Sequence, residues 1–401
     1  MTGPAGRPPE APAPRIPLWL VTLLTFSGTL AMHIFVPALP VAAAALEATN
    51  ASLQLTISLY ILGLAVGQLI YGPLSDRFGR RATMMAGLAI YVAASVGCLL
   101  AQDVGTLIVA RLFQALGGCA GLVLGRAIVR DAAGGQTDAA RRLALLNLMV
   151  TLGPGLAPLV GGAVADIAGW RAIFVLLCAL GVLNLTLTWR MLPETKAPGH
   201  SSGAAVIRNY GRLFVSPAFL GFAIGGGCVT TSMYAFLVAA PFVFVQELHQ
   251  PTSAVGAYLA TLILGVWTGS MLASRLLGRV QTRHLLLAAN WVGILAAFSL
   301  LATVLLGALS VPLAIGLMFV FTTGVGLASP AALTEAISVD SQAIGSASGL
   351  YGFAQMAIGA ACTALVGFGR DPALAAALIL SAAGIIAQVS FWIALRARRQ
   401  A

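Results

Sequence analysis

The chain has 401 residues, 59% of them hydrophobic and only 8% charged, with a formal net charge of +10. A soluble domain carries roughly a quarter charged residues, so this much apolar surface needs lipid to cover it, and the soluble classes are excluded. The basic balance does not imply nucleic acid, which would require basic residues gathered on one face; here they are dispersed between apolar runs. The cysteines, Cys98, Cys119, Cys178, Cys228 and Cys362, sit inside apolar runs without CxxC or Cys/His metal spacing. They read as small packing residues, and neither metal nor cofactor is expected.

In chain order, residues 1–15 read as a disordered cytoplasmic N-terminus, Pro-rich and lacking the basic start and cleavage pattern of a signal peptide. A membrane-crossing helix needs about 20 mostly apolar residues. Cutting the chain at polar and turn residues gives spans near 17–40, 52–72, 82–101, 105–129, 142–165, 171–192, 217–241, 254–276, 284–307, 310–333, 343–367 and 373–396. The predicted fold is an all-α integral membrane protein with twelve transmembrane helices. The polar stretch Pro193 to Arg212 divides them six and six. The expected organisation is a six-helix half over 16–192, a cytoplasmic central loop over 193–213, a second half over 214–396 and a cytoplasmic tail over 397–401.

Positively charged loops stay cytoplasmic. With the amino end inside, the inner side receives Arg7, Arg15, Arg77, Arg80, Arg81, Arg130, Arg141, Arg142, Arg190, Lys196, Arg208, Arg212, Arg275, Arg279, Arg283, Arg396, Arg398 and Arg399, and the outer side only Arg171 and Arg370. Both termini are therefore expected in the cytoplasm.

The stretch "GQLIYGPLSDRFGRR", Gly67 to Arg81, joins spans two and three on that side. Glycines at 72 and 79 are expected to allow a tight turn and close helix approach, and Asp76 to bond free backbone N–H groups or the arginines Arg77, Arg80 and Arg81. An eroded copy, "GSMLASRLLGRVQTR" (Gly269 to Arg283), follows span eight, where a duplicated half would place it.

Gly72-Pro-Leu-Ser-Asp76-Arg77-Phe-Gly79-Arg80-Arg81 resembles the signature loop of the major facilitator superfamily. Span four, "RLFQALGGCAGLVLGRAIVRD", is similar to its basic membrane motif, with Arg111, Gln114 and Gly117 in the matching places. In span five, "GPGLAPLVGG" contributes Gly153, Pro154, Pro158, Gly161 and Gly162; with "GWRAIF" after it, it resembles the motif of drug:proton antiporters. "VPALP" and "AIVRD" resemble the bicyclomycin and chloramphenicol resistance (Bcr/CflA) subgroup. The resemblance implies two pseudo-symmetric halves, a bacterial inner-membrane location, a proton gradient as energy source, and a gate at residues 72–81 that links helices around spans two and eleven. From the residues alone, the span-five run reads as a bend and a close helix contact, and the loop as a basic anchor.

Ionisable residues inside apolar spans are costly in lipid and usually face a cavity. Arg111 lies eight residues after Asp103, about 12 Å along a helix, well inside the membrane. Arg126 lies twenty-three residues after Asp103, about 34 Å, and is expected at the inner edge, either functional or snorkelling. His33, about 27 Å along span one, is either a packing residue or a proton-responsive one, histidine's reference pKa being about 6.5. Asp131 is expected at an inner end. The subgroup usually carries an aspartate four residues before the first proline of "PALP", and this chain has His33 there. No carboxylate proton carrier is therefore visible near a span centre.

Spans one and four line the central cavity in this superfamily, so the resemblance implies that His33 and Arg111 share one site. That site is expected to accept neutral or anionic compounds and to disfavour cations. Tyr60, Met233, Tyr234, Phe236 and Phe353 are candidates for an apolar lining or for core. The sequence supports a secondary transporter exporting small drug-like molecules by proton antiport, with a specific metabolite transporter as the alternative. It is read as a monomer and not as an enzyme.

Overall fold

The computed structural model describes residues 16–133, 136–195, 203–276, 279–340 and 344–400. The head read as disordered, and residues 196–202 of the central loop, lie outside them. In lipid every backbone polar group must be satisfied internally, and apolar runs of this length do so as helices. The first half comprises α1 (Leu18–Ile34), α2 (Leu39–Ala45), α3 (Asn50–Phe78), α4 (Arg80–Leu100), α5 (Val104–Asp131), α6 (Gln136–Ala168) and α7 (Trp170–Met191). After α8 (Gly203–Val215), the second half comprises α9 (Pro217–Thr231), α10 (Met233–Phe242), α11 (Thr252–Leu276), α12 (Thr282–Leu305), α13 (Val311–Ile337), α14 (Ile344–Val366) and α15 (Pro372–Gln400). Among the described residues, eleven segments are long and apolar enough to cross a membrane. The helix α6 occupies the place of the fifth span.

Side-chain caps start several helices where the sequence changes from polar to apolar. Thr49 accepts from the Ser52 N–H ahead of α3, and Ser216 from that of Phe219 ahead of α9. Asp103 caps α5, accepting from the Thr106 hydroxyl at 2.6 Å and its N–H at 2.8 Å. These bonds hold its carboxyl below the usual carboxylate range.

Two predicted spans are interrupted. The first does not run unbroken to residue 40: α1 stops at Ile34, a 3-10 turn covers Val36–Ala38, and α2 follows. Pro37 and Pro40 lack the N–H that would continue the ladder. The seventh breaks at Ser232 between α9 and α10 without a proline; there the Thr230 and Thr231 hydroxyls bond back to the carbonyls of Gly226 and Gly227. Two stretches read as loop or tail are helical, namely 203–215 as α8 and 397–400 as the last turn of α15.

The halves meet where α3 packs on α14 and α6 on α11. Within the first half α6 also lies against α1, and Gly161 fixes that approach: a Cβ there would stand 1.8 Å from the Ile34 carbonyl oxygen. Backbone cannot yield as a side-chain tip can, and overpacking costs about 1–3 kcal/mol. Gly161→Ala is therefore expected to lower the thermal unfolding temperature of detergent-purified protein, with Gly72→Ala, whose Cβ would meet nothing within 4 Å, as the silent control.

Candidate functional site

A cavity of about 290 Å³ lies between the halves. The first half contributes Thr29, Met32 and His33 from α1, Leu64 and Gln68 from α3, Leu122, Val123 and Arg126 from α5, and Pro154 from α6. The second half contributes Tyr234 from α10, Ser329 and Leu333 from α13, and Ser348, Tyr351, Gly352, Gln355 and Met356 from α14. No carboxylate is among these residues. The α14 residues recur at i, i+3, i+4 and i+7, one face of a helix.

At the arginine-poor end the halves are held together. Asn50 donates to Gln246 at 3.0 Å, Gln54 to the Val238 carbonyl at 3.5 Å, and the His33 and Tyr234 rings meet edge-on with centroids 6.1 Å apart. His33 and Tyr234 stand next to the two helix breaks, so the broken segments of α1 and α10 form the lid of the cavity. Toward the basic end lie Arg126, five residues before the end of α5, and Ser348, four residues into α14. Midway, Gln68 donates to the Gly352 carbonyl at 3.3 Å across the α3–α14 contact.

His33 is buried, and its Nδ1–H donates to the Thr29 carbonyl at 2.8 Å. Its Nε2 has no partner among the described residues. The helix backbone thus fixes the ring, leaving one nitrogen uncommitted beside the cavity.

Arg111 does not share that site. Its guanidinium is fully buried inside the first half, donating to the Ala31 carbonyl at 3.0 Å and to Gln114 at 2.6 Å, and Gln114 donates on to Ser95 at 2.8 Å. Tyr60 lies 4.1 Å from its Cζ by ring centroid, with Phe35 at 5.5 Å and Phe174 at 6.0 Å. Three aromatic faces and two oxygen acceptors, both bonded by Nη1, replace part of the hydration of the charge, and Nε and Nη2 have no hydrogen-bond partner among the described residues. The physical reason for the separation is the break in α1: the Ala31 carbonyl, released where the helix ends, draws the guanidinium away from the cavity. Arg126, expected at the inner edge, is the arginine that lines the cavity, and its side chain is exposed there.

Among the described residues the basic loop forms a network with other helices of the first half. Arg80 bonds Asp76 at 2.8 Å, Asp131 at 3.0 Å and the Ser75 hydroxyl at 2.5 Å. Glu194, absent from the sequence-based candidates, accepts the N–H groups of Arg80 at 2.7 Å and Arg81 at 3.2 Å, capping α4; the signal was a carboxylate just past span six, "PET" at Pro193. Arg77 stacks on the neighbouring Phe78 at 5.2 Å, and Arg81 donates to the Trp189 carbonyl at 2.5 Å. Gly79, with φ +90°, makes the turn. Gly72 makes neither turn nor close contact, because α3 runs on through it to Phe78. These bonds join α3, α4, α5 and the segment after α7, and Gln68 makes a described link between α3 and α14.

In α6, Gly153 packs on Phe26 of α1, and Gly162 faces the backbone of Thr252 and Ser253 on α11. Pro154 and Pro158 lie inside one uninterrupted helix, and Pro154 reaches the cavity. Of the aromatic and Met candidates, Tyr234 lines the cavity and Tyr60 sits under Arg111. Among the described residues no cluster of three or more His, Cys, Asp or Glu could hold a metal ion.

Two helical halves around a central cavity closed at one end are the construction of a secondary transporter. The chain belongs to the Major Facilitator Superfamily, whose sequence profile matches residues 21–364. It is 38% identical over 170 residues to a chloramphenicol resistance protein of Pseudomonas aeruginosa, covering 42% of this chain and 40% of that one. A bicyclomycin resistance protein homolog of Haemophilus influenzae is 26% identical over 87% of this chain and 88% of its own. These relatives bear out the subgroup read from the sequence. A D-xylose-proton symporter structure superposes with a TM-score of 0.76 at 15% identity, covering 94% of this chain and 96% of that one, and shows the shared fold.

Two outcomes are expected from this geometry. A hydrogen bond to a charged group contributes about 1.5–3 kcal/mol, so Asp76→Asn should slow transport roughly tenfold or more at an unchanged membrane level; normal flux would reduce the loop to an anchor. Arg111→Ala should abolish transport at an unchanged membrane level and Arg111→Lys restore it only in part, since an ammonium cannot stack and fork as a guanidinium does. Substrate flux set against immunoblotted membrane protein measures both, and full flux in the alanine variant would make Arg111 incidental.

Proposed function

We propose that the protein exports small drug-like molecules across the bacterial inner membrane by alternating access, exchanging them for protons. The single observation that carries this reading is the cavity, which draws its wall from both halves and is closed at the arginine-poor end. The relatives named for chloramphenicol and bicyclomycin resistance support export of such compounds, and proton antiport is the usual mechanism of their family. By the positive-inside rule the basic end is cytoplasmic, with both termini on that side. The exposed side chains of Arg126 and Ser348 toward that end support access for cytoplasmic substrate. The working unit is a monomer, because both walls of the cavity belong to one chain.

The charge of the cavity supports neutral or anionic substrates over cationic ones. Arg126 contributes a permanent positive charge with no carboxylate among the lining residues, and an unpaired like charge in a low-dielectric cavity is strongly unfavourable. This keeps the selectivity inferred from the sequence but moves its source from Arg111 to Arg126. His33 takes the position at which the subgroup usually carries an aspartate. It is the lining residue type whose reference pKa, about 6.5, falls in the physiological range, while the reference values of arginine and tyrosine lie far above it.

Everted membrane vesicles with an imposed pH gradient test this reading. Chloramphenicol is expected to move with the gradient in the unmodified protein and to lose its pH response in His33→Ala. His33→Asp should improve handling of cationic compounds by restoring a counter-charge. Efficient export of a quaternary ammonium compound by the unmodified protein would defeat the selectivity, and an intact pH response in His33→Ala would remove histidine from the coupling.

A further inference from the structure

Arg126 is the permanently charged side chain in the cavity wall, and no hydrogen bond or ion pair joins it to another described residue. It lies five residues before the end of α5, about 8 Å inside the basic end at 1.5 Å per residue. Its guanidinium offers up to five N–H donors. The amides in the wall are partly committed, Gln355 to the Thr230 hydroxyl at 2.6 Å and Gln68 to the Gly352 carbonyl. The hydroxyls of Ser329 and Ser348, from the second half, have no hydrogen-bond partner among the described residues. A forked cation and two free hydroxyls, contributed by opposite halves, form a donor set suited to an oxyanion.

We propose that Arg126, with Ser329 and Ser348, binds a carboxylate, sulfonate or similar oxyanion of the exported molecule, and that export of such an acid is driven by the membrane potential acting on the empty carrier. The proposal rests on the export reading above and specifies its substrate class and energy source. When the cavity switches access, most of the potential drop moves from one closed end to the other. Arg126 therefore crosses the electric field without moving far itself. Loaded with a monoanion, the site is neutral and its outward switch is insensitive to voltage. Empty, it carries one positive charge inward on its return, the direction that a negative interior favours. One negative charge leaves the cell per acid exported, in addition to any charge carried by an exchanged proton.

Full-length protein in proteoliposomes, with equal pH on both sides and a potassium diffusion potential set by valinomycin, provides the test. Naphthalene-1-sulfonate, a permanent anion, is compared with neutral chloramphenicol. The sulfonate is expected to accumulate on the positive side at least tenfold for each 59 mV, a steeper voltage response than that of chloramphenicol. Arg126→Gln should shift the preference at least tenfold toward chloramphenicol, and Arg126→Lys only partly. The double variant Ser329→Ala, Ser348→Ala should raise the KM for the sulfonate without changing the voltage response. Membrane level and thermal unfolding establish that each variant is folded. Chloramphenicol flux without sulfonate flux would overturn this proposal and leave the export reading standing. Sulfonate flux that ignores the potential, or that survives unchanged in Arg126→Gln, would also overturn it. Failure of folded, unmodified protein to move either compound would overturn both readings.

Discussion

The first half is organised around a buried cation that has no carboxylate partner among the described residues. Arg111 binds the carbonyl at the end of α1, rests on Tyr60 of α3 and Phe174 of α7, and through Gln114 reaches Ser95 of α4. Removing a charge from water is costly unless dipoles and π-faces replace its hydration, so a shift of any of these helices would raise the cost of burying it. The bond to the Ala31 carbonyl ties this charge to the end of α1, the same end at which His33 stands beside the cavity. A residue remote from the cavity surface is thereby coupled to that surface.

The two halves differ most at the basic end. In the first, Asp76, Asp131 and Glu194 gather around Arg80 and the start of α4. In the second, the eroded repeat has Ser274 where a carboxylate would correspond to Asp76, and the acids sit elsewhere: Glu335 pairs with Arg398 of α15, and Asp340 with Arg212 of α8. Among the described bonds, one half ties its loop to its own helices, while the other ties down the central helix and the last helix. The duplicated fold thus carries different electrostatics in each copy.

Span number and the division into halves were legible because hydropathy is summed over some twenty residues and a single polar side chain hardly changes it. The basic loop was legible because φ > 0 at Gly79 and the pairing of Arg80 with Asp76 are local, whereas its partners Asp131 and Glu194 lie 51 and 114 residues away. The position of Arg111 was not. Distance along a helix gives depth but not azimuth, and the azimuth here follows from the carbonyl freed at Ala31, a tertiary event. The same limit left open whether Arg126, placed by depth toward the inner end, snorkels or faces the cavity. The cavity face of α14 had a readable periodicity in Ser348, Tyr351 and Gln355, obscured by glycines and alanines that reduce the contrast between polar and apolar faces. The break at Ser232 has no proline to announce it, and the back-bonding of Thr230 and Thr231 depends on rotamers that sequence does not specify.

The contacts that close the cavity at the arginine-poor end are amide to amide, amide to carbonyl, and ring to ring. Each neutral hydrogen bond has a net worth of about 1 kcal/mol, and none of the three involves a pair of opposite formal charges. Dissolved ions screen charge pairs over about 10 Å at 0.1 M but leave neutral bonds almost untouched. Through these contacts the balance between open and closed is therefore insulated from the salinity of the surrounding medium, which suits a seal facing an environment whose ionic strength the cell does not control.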